Sequence, residues 1–346
     1  MTTFDEASTF EDYRRLIECG HDVNETDYDG STPLFNVSSF NMNDYLVQYR
    51  KIVNLFLENG ADINHQDEHG FTALMKSDSD LFSLSLLEHE SCKVEIEGFT
   101  GETISSLVDC AIRGQVQSIE YMVKHRGVDI NGIINGNSLL KHVLDFVDKY
   151  DGPWRSWASL GVKKMIELGA DVNYVSSDGF PMIYYARSDY NCMSHLINGG
   201  VDVNATFSIG NDNGFTVLHT CFVPGVNYLL LNNGAKIDAL TSDGSSPFIT
   251  VMNNVDIKVE EFVPNFLSKY AKCSIVNKNG ISILNCNNKI PKEFIPVIEN
   301  RIKDENWERR KWLLIHKSRK RKMDDEVIDG LLVSPDDIFR KIVKYV

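Results

Sequence analysis

The sequence lacks the signals of a membrane or secreted protein. Its 346 residues contain no uninterrupted run of about 18 apolar residues, the length that a membrane-spanning helix needs. The opening MTTFDEASTF has no basic segment followed by an apolar one, the pattern of a secretory signal peptide. We therefore expect a soluble, intracellular protein without a membrane partner.

Paired cysteines are also absent. The chain has seven cysteines, spread far apart and without a C-x-x-C pair. In a chain of this length, that spacing predicts small, partly buried thiols rather than disulfides or zinc ligands.

No catalytic motif is present. The sequence contains no G-x-x-x-x-G-K-[ST], no G-x-G-x-x-G after a strand and no G-x-S-x-G. His65 and His69 have the spacing of a metal-binding pair, but they span a turn that includes Gly70, and no third ligand lies near them in sequence. We expect no enzyme activity, no metal site and no cofactor.

Positive charge is scarce in most of the chain. Residues 1–300 carry 22 Lys and Arg against 40 Asp and Glu, whereas residues 301–346 carry 13 against 9. An acidic surface repels phosphate backbones, so we do not expect nucleic acid to bind residues 1–300. A protein client with a basic patch fits this charge better.

What the sequence does contain is a repeated pair of helix signals, seen in LENGADINHQDEHGFTALM (residues 57–75). Gly60 stands where a helix ends with positive φ, the conformation that glycine adopts most easily. Gly70 closes a turn, and the Thr72 hydroxyl is predicted to cap the next helix.

Both signals recur along the chain. The turn glycine returns at steps of 30 to 43 residues, at Gly30, Gly70, Gly101, Gly136, Gly179, Gly214, Gly244 and Gly280. The helix-end signal reads GHDVN, GADIN, GVDIN, GADVN, GVDVN and GAKID, starting at Gly20, Gly60, Gly127, Gly169, Gly200 and Gly234. A period near 33 residues with two helices per unit is typical of a stacked solenoid.

These residues resemble the ankyrin repeat, D-G-x-T-P-L-H-x-A followed by L-L-x-x-G-A-D-V-N, over about Phe4 to Asn300. The resemblance implies an all-α ankyrin-repeat solenoid of about eight helix-turn-helix repeats with β-hairpin-like turns and a C-terminal helical tail. It also implies a non-catalytic protein–protein interaction scaffold, similar to ankyrin proteins of large DNA viruses or protists. We predict a repeat array at 1–300, a basic helical linker at 301–330 and a terminal segment at 331–346.

In ankyrin proteins the hairpin tips form a row along the concave side that contacts clients. The resemblance therefore makes two tip segments candidate partner-binding sites here. They are Asp27, Tyr28 and Asp29 in the first tip, and Gln66, Asp67 and Glu68 in the second.

One repeat carries an insertion at residues 144–161 (LDFVDKYDGPWRSWASLG). It holds Trp154, Arg155 and Trp157, and Trp and Arg are enriched at the energetic centres of protein interfaces. Two interpretations stay open: the insertion contacts a partner, or its tryptophans fold back onto the neighbouring helices.

The tail has a different composition. Lys317–Lys322 (KSRKRK) is a basic cluster, which suits a nuclear localisation signal, an acidic partner or a solvated helix end. In residues 331–346, Ser334 and Pro335 predict a helix start, and Ile338, Phe339 and Ile342 share its apolar face. This segment resembles the opening helix of an F-box, which implies binding to a Skp-type adaptor of a cullin ubiquitin ligase. The alternative is a helix that caps the array.

Asn24 and Asn204 complete two of the helix-end signals. In ankyrin proteins such asparagines are hydroxylase targets, so the resemblance makes these two residues modification candidates. The alternative is that they brace the turn by hydrogen bonds to the backbone. Two functions are compatible with the whole sequence: a substrate adaptor for a cullin-type ligase, or a nuclear regulator that sequesters a basic segment of a DNA-binding or signalling protein.

Overall fold

The computed structural model describes residues 3–7, 9–37, 45–98, 100–150, 152–253, 259–286 and 290–320, with residues 5, 45 and 312–320 given by their backbone alone. The chain divides into two compact units, Met1–Lys236 and Ile237–Val346.

The first unit is built from short helices that alternate with turns. A 3₁₀ turn, η1 (Phe4–Glu6), comes first. The helices are α1 (Phe10–Glu18), α2 (Pro33–Asn36), α3 (Tyr45–Glu58), α4 (Ala73–Lys76), α5 (Asp80–Leu87), α6 (Ser106–Ile112), α7 (Val116–His125), α8 (Leu139–Lys149), α9 (Pro153–Glu167), α10 (Met182–Tyr185), α11 (Tyr190–Asn198), α12 (Val217–Thr220) and α13 (Pro224–Asn232).

Three antiparallel hairpins precede α6, α8 and α12. Their strands are β1 (Glu95–Glu97) with β2 (Thr103–Ser105), β3 (Ile133–Ile134) with β4 (Asn137–Ser138), and β5 (Thr206–Ile209) with β6 (Asp212–Thr216). The register pairs Glu95 with Ser105, Ile133 with Ser138 and Thr206 with Thr216.

The second unit contains α14 (Pro247–Asn253), α15 (Val259–Ser268) and α16 (Ile295–Lys320). One isolated antiparallel bridge joins Val276 to Ser282 between α15 and α16. Within the described part of the chain, no helix is both long enough and apolar enough to cross a membrane.

Helices of the first unit stack in two rows. One row runs α1, α3, α5, α7, α9, α11, α13, and each member packs on the next. The other row runs from η1 through α2, α4, α6 and α8 to α10, again by contacts between neighbours. No single pair of short helices could bury its apolar face alone, so the stack supplies the core. The predicted helical solenoid is confirmed.

The predicted turn glycines adopt the predicted backbone. All eight have positive φ, between 76° and 84°. The six helix-end glycines do too, between 69° and 96°. At Gly30 an added Cβ would also lie 3.0 Å from the amide nitrogen of Glu68 in the next tip, so this position excludes side chains for a second reason.

A ladder of asparagine amides links successive repeats. Asn24 donates to the Gly60 carbonyl at 2.8 Å and accepts from the Asp62 amide at 3.0 Å. The same pair of bonds to the backbone of the following repeat is made by Asn64, Asn131, Asn173 and Asn204. At these five positions one repeat therefore fixes the helix end of the next.

One local expectation is corrected. Thr72 does not cap α4: its hydroxyl is buried and has no hydrogen-bond partner among the described residues. Ser79 caps the longer α5, accepting from the Phe82 amide at 3.3 Å. Nearly all of the insertion at 144–161 lies in α8 and α9.

Candidate protein-interaction surface

The first two turns of α9 present two tryptophans to solvent. Pro153 occupies the first helical position, where its fixed φ favours a helix start. Trp154 is 40% exposed and Trp157 is 46% exposed. Their ring centroids lie 5.0 Å apart with an interplanar angle of 86°, an edge-to-face pair. We call these two side chains the Trp pair.

The backbone beneath the Trp pair is tightly held. Gly161 of α9 meets α6 so closely that an added Cβ would lie 2.6 Å from the Ala111 carbonyl carbon. Gly114 approaches the same helix, and its Cβ would lie 2.9 Å from the Trp157 carbonyl oxygen. Ala158 and Val162 on the inner face are 0% exposed. The tryptophans therefore stand on a fixed helix, although they are not core residues.

Arg113 borders the Trp pair. Its guanidinium lies 5.8 Å from the centroid of a Trp154 ring and donates to an Asp78 carboxylate oxygen at 2.7 Å. On the same helix, burial raises the pKa of Asp109 to about 7, against the opposing effect of Arg113. Arg113 caps the C-terminal end of α6, one repeat before the insertion, and no motif in the sequence marks it as part of this surface.

Arg155, the third residue predicted in this insertion, turns inward. Its Nε and Nη2 donate to the Val147 carbonyl at 3.1 and 2.9 Å, and its guanidinium lies 3.8 Å from an Asp189 carboxylate oxygen. Arg155 thus holds the end of α8 against the loop before α11, and its side chain stays partly exposed, so its role as a contact residue stays a prediction.

The first hairpin tip points outward. Tyr28 is 91% exposed, the largest exposure among the large apolar side chains described. The Asp27 carboxylate accepts from the amides of Asp29 and Ser31, both at 2.9 Å, which shapes the turn beneath Tyr28. This tip can therefore present an aromatic ring among carboxylates.

The second tip is only partly available. Glu68 is exposed, but Asp67 is 1% exposed, so its assignment as a contact residue is corrected. Its carboxylate accepts from the amides of His69 and Phe71 and lies 2.6 Å from Lys76 Nζ. Burial raises the pKa of Asp67, but these bonds outweigh burial and hold it below its ordinary value.

Gln66 of this tip also serves the fold. Its amide donates to the Gly70 carbonyl at 3.0 Å and to the Glu97 carbonyl at 3.1 Å. The second bond ties this tip to the β1–β2 hairpin.

The two modification candidates belong to the asparagine ladder. The Asn24 amide is engaged as described above, and Asn204 donates to Gly234 at 3.0 Å and accepts from Lys236 at 2.7 Å. Asn24 is exposed, and Asn204 is partly exposed. Hydroxylation stays a prediction, and an unmodified mass of both peptides from hydroxylase-containing cells would contradict it.

Other side chains that could bind a metal or act as a nucleophile were also located in the structure. His65 Nε2 lies 2.8 Å from the Gly30 carbonyl, in line with a role in tip stacking. None of the seven cysteines forms a disulfide among the described residues, and burial raises the pKa of the Cys110 thiol well above its ordinary value. No group of three or more potential metal ligands occurs among the described residues. Ile338, Phe339 and Ile342 lie outside the described residues, and so does the Lys317–Lys322 cluster as a side-chain surface.

Comparisons with known proteins agree with this architecture. No protein-family model matches the chain, and no curated protein matches it in sequence. Among solved structures, the ankyrin repeat domain of human ASB11 matches with a TM-score of 0.51 and 21% identity, over 68% of this chain and 99% of that one. The ankyrin repeat domain of Bcl-3, a member of the IkappaB family, matches with a TM-score of 0.45 and 18% identity, over 64% and 91%. The chain has the ankyrin-repeat fold, and the comparisons indicate no enzyme family.

Proposed function

We propose that this chain is a non-catalytic protein-interaction scaffold whose client contacts the Trp pair. The observation that carries the proposal is the combination of exposure and rigidity: Trp154 and Trp157 stay about half exposed on a helix whose backbone is locked against α6. Rigid, exposed aromatic side chains bind at a low cost in entropy and dominate many interfaces. Arg113 beside Trp154 adds a hydrogen-bond donor at the edge of the same surface.

Capture from a cell lysate tests this proposal. The full chain should retain a client that a Trp154→Ala, Trp157→Ala double variant loses at equal loading. Tyr228→Ala is the matched control, because Tyr228 is also half exposed on a helix of the first unit. Equal capture by the double variant and the parent chain would contradict a role for the Trp pair.

The finer version of this function is a substrate adaptor for a cullin-type ubiquitin ligase. It rests on the F-box-like sequence of residues 331–346, with Ile338, Phe339 and Ile342 as the expected contacts to a Skp-type adaptor. Removing residues 331–346 should abolish recovery of ligase subunits and leave client capture intact. Ligase subunits that persist after truncation, or never appear with the full chain, would contradict the adaptor role.

A nuclear regulator that sequesters a basic segment is the second candidate. The observation that favours it is the first tip, where Tyr28 is 91% exposed between Asp27 and Asp29. A basic chain would gain both ion pairs and a cation–π contact there. Loss of a basic client on Tyr28→Ala and Asp29→Asn, with truncation at residue 330 without effect, would favour the regulator over the adaptor.

A further inference from the structure

Tyr270 occupies a position that other repeats give to glycine. It follows α15 at the helix end, where Gly20, Gly60, Gly127, Gly169, Gly200 and Gly234 end the corresponding helices of other repeats. Its φ is 61°, in the left-handed region that residues with a Cβ rarely adopt. Apart from Asn135, it is the single residue other than glycine with positive φ in the described part of the chain. A tyrosine here is held against a backbone preference.

The strained backbone of Tyr270 does not bury its side chain. The Tyr270 side chain is 81% exposed, while the adjacent Ala271 is 0% exposed. Strained backbone that displays a side chain to solvent is a feature of functional positions. The exposed ring is therefore available to bind a partner.

Helix α16 braces this corner. Glu305 accepts hydrogen bonds from the amides of Cys273 and Ser274, both at 2.9 Å, and fixes the chain after Tyr270. Arg301 donates to the Leu267 carbonyl at 3.0 Å and fixes the end of α15 before it. The corner is thus ordered before any partner arrives, which lowers the entropy that binding would cost.

Three cations surround the ring, and the two carboxylates at the same corner, Glu305 and Asp238, each accept from backbone amides, Asp238 from Lys272 at 2.8 Å. The Arg301 guanidinium carbon lies 5.3 Å from the Tyr270 ring centroid. Lys269 and Lys272, both exposed, stand one residue before and two residues after the tyrosine. Glu305 is occupied by its two backbone amides. Cations outnumber carboxylates here by three to two, and both carboxylates are already bonded to backbone amides, so the carboxylates of a partner would be attracted to this corner.

We propose that Tyr270, with Arg301 and Lys272, forms a docking surface for an acidic peptide segment of another protein. The aromatic ring would anchor an apolar side chain of that segment, and the cations would pair with its carboxylates. This surface lies in the second unit and differs in charge preference from the acidic first tip. It goes beyond the client binding proposed for the Trp pair and does not depend on it.

Differential peptide selection tests the proposal. A random library of 12-residue peptides displayed on phage is selected on the full chain and, in parallel, on its Tyr270→Gly variant. Peptides recovered only on the parent chain should be enriched in Asp and Glu around an apolar residue. A representative peptide should bind Tyr270→Gly and Lys272→Glu at least tenfold more weakly, and its binding to the parent should weaken as salt rises. Tyr228→Ala and Lys278→Glu are controls that should keep full affinity.

The melting temperature separates docking from a purely structural role. Glycine relieves the strained φ, so Tyr270→Gly should melt no lower than the parent chain. A clear fall in melting temperature with the same peptides recovered on both proteins would overturn the proposal. Tyr270-dependent peptides that are basic or uncharged would overturn it as well.

Discussion

Asp67 shows how one buried carboxylate can shape a whole turn. Its bonds to two backbone amides and to Lys76 hold its pKa below the ordinary value. A carboxyl with a lowered pKa in the folded state stabilises the fold above its unfolded-state pKa, and this contribution disappears as pH falls through the folded-state pKa. The second tip should therefore weaken in acid.

Asp67→Asn tests that statement. The variant should lose about 1–3 kcal/mol of unfolding free energy at neutral pH, because Lys76 and two amides lose their charged acceptor. It should also show a shallower loss of stability than the parent chain below about pH 4. Urea titrations between pH 3 and pH 7 measure both effects, with Glu68→Gln on the same tip as the exposed control. Parallel pH profiles for Asp67→Asn and the parent would contradict this account.

Asn227 is a residue that works against stability. It is 0% exposed in α13, and neither its side-chain oxygen nor its nitrogen has a hydrogen-bond partner among the described residues. Seven residues before the helix-end glycine, two other repeats place Val53 and Val162, both 0% exposed. An unsatisfied buried amide costs about 1–3 kcal/mol.

Asn227→Val should therefore raise the free energy of unfolding by about 1–3 kcal/mol. Chemical denaturation of the two proteins measures the difference. The control is Asn233→Val, since Asn233 is exposed and bonds only within its own helix in the hydrogen bonds described, to Leu229 at 2.8 Å. A destabilised Asn227→Val protein would mean that the amide has a partner in solution, such as a bound water.

At the level of elements, the approach of α9 to α6 decides where the Trp pair stands. Gly161→Ala would drive a methyl group into the Ala111 carbonyl, so the helices must separate. We expect a loss of about 2–3 kcal/mol, typical of overpacking a core. Gly225→Ala in α13 is the control, because its Cβ would meet only Tyr190 at an ordinary 3.7 Å. That change should stabilise the helix slightly. Equal melting temperatures for Gly161→Ala and Gly225→Ala would contradict the close packing.

Elements with a local cause were predictable from sequence. The turn glycines need positive φ, a backbone conformation that glycine adopts far more easily than any other residue. All eight were placed correctly. The stacked rows of helices were expected from the regular spacing of the repeats. The Trp pair could be named as a candidate, but not its exposure, because that depends on α6, some 50 residues earlier in the chain.

Contacts between residues far apart in the chain, where one side chain takes the place of a ladder asparagine, were not predictable. Arg126 lies between the third and fourth repeats and donates to the carbonyls of Leu87, His89, Glu90 and Cys92. In the preceding repeat, Glu95 occupies the position that asparagine holds in the ladder. Nothing local to Arg126 indicates that it reaches back to the preceding repeat. The same holds for Asp67, whose burial depends on Lys76 and on the neighbouring tips.

For the molecule as a whole, the asparagine ladder couples the repeats. Asn204→Ala removes two hydrogen bonds to the Gly234 turn and should cost about 1–2 kcal/mol. Hydrogen exchange should speed up on both sides of that junction, at α11 and α13, because neighbouring repeats stabilise one another. Asn59→Ala is the control, since the Asn59 amide bonds its own helix at Leu55. Faster exchange confined to residues next to Asn204 would argue against coupling.

The same coupling is what would keep α9 rigid beneath a client. Site-specific photo-crosslinking measures whether the client sits on the Trp pair. A photoreactive phenylalanine analogue is placed at position 157 in one protein and at position 228 in another, each in the full chain. If the client sits on the Trp pair, it is crosslinked from position 157 and not from position 228. Crosslinking from position 228 alone, or from neither position while the client is still captured, would contradict this placement of the client.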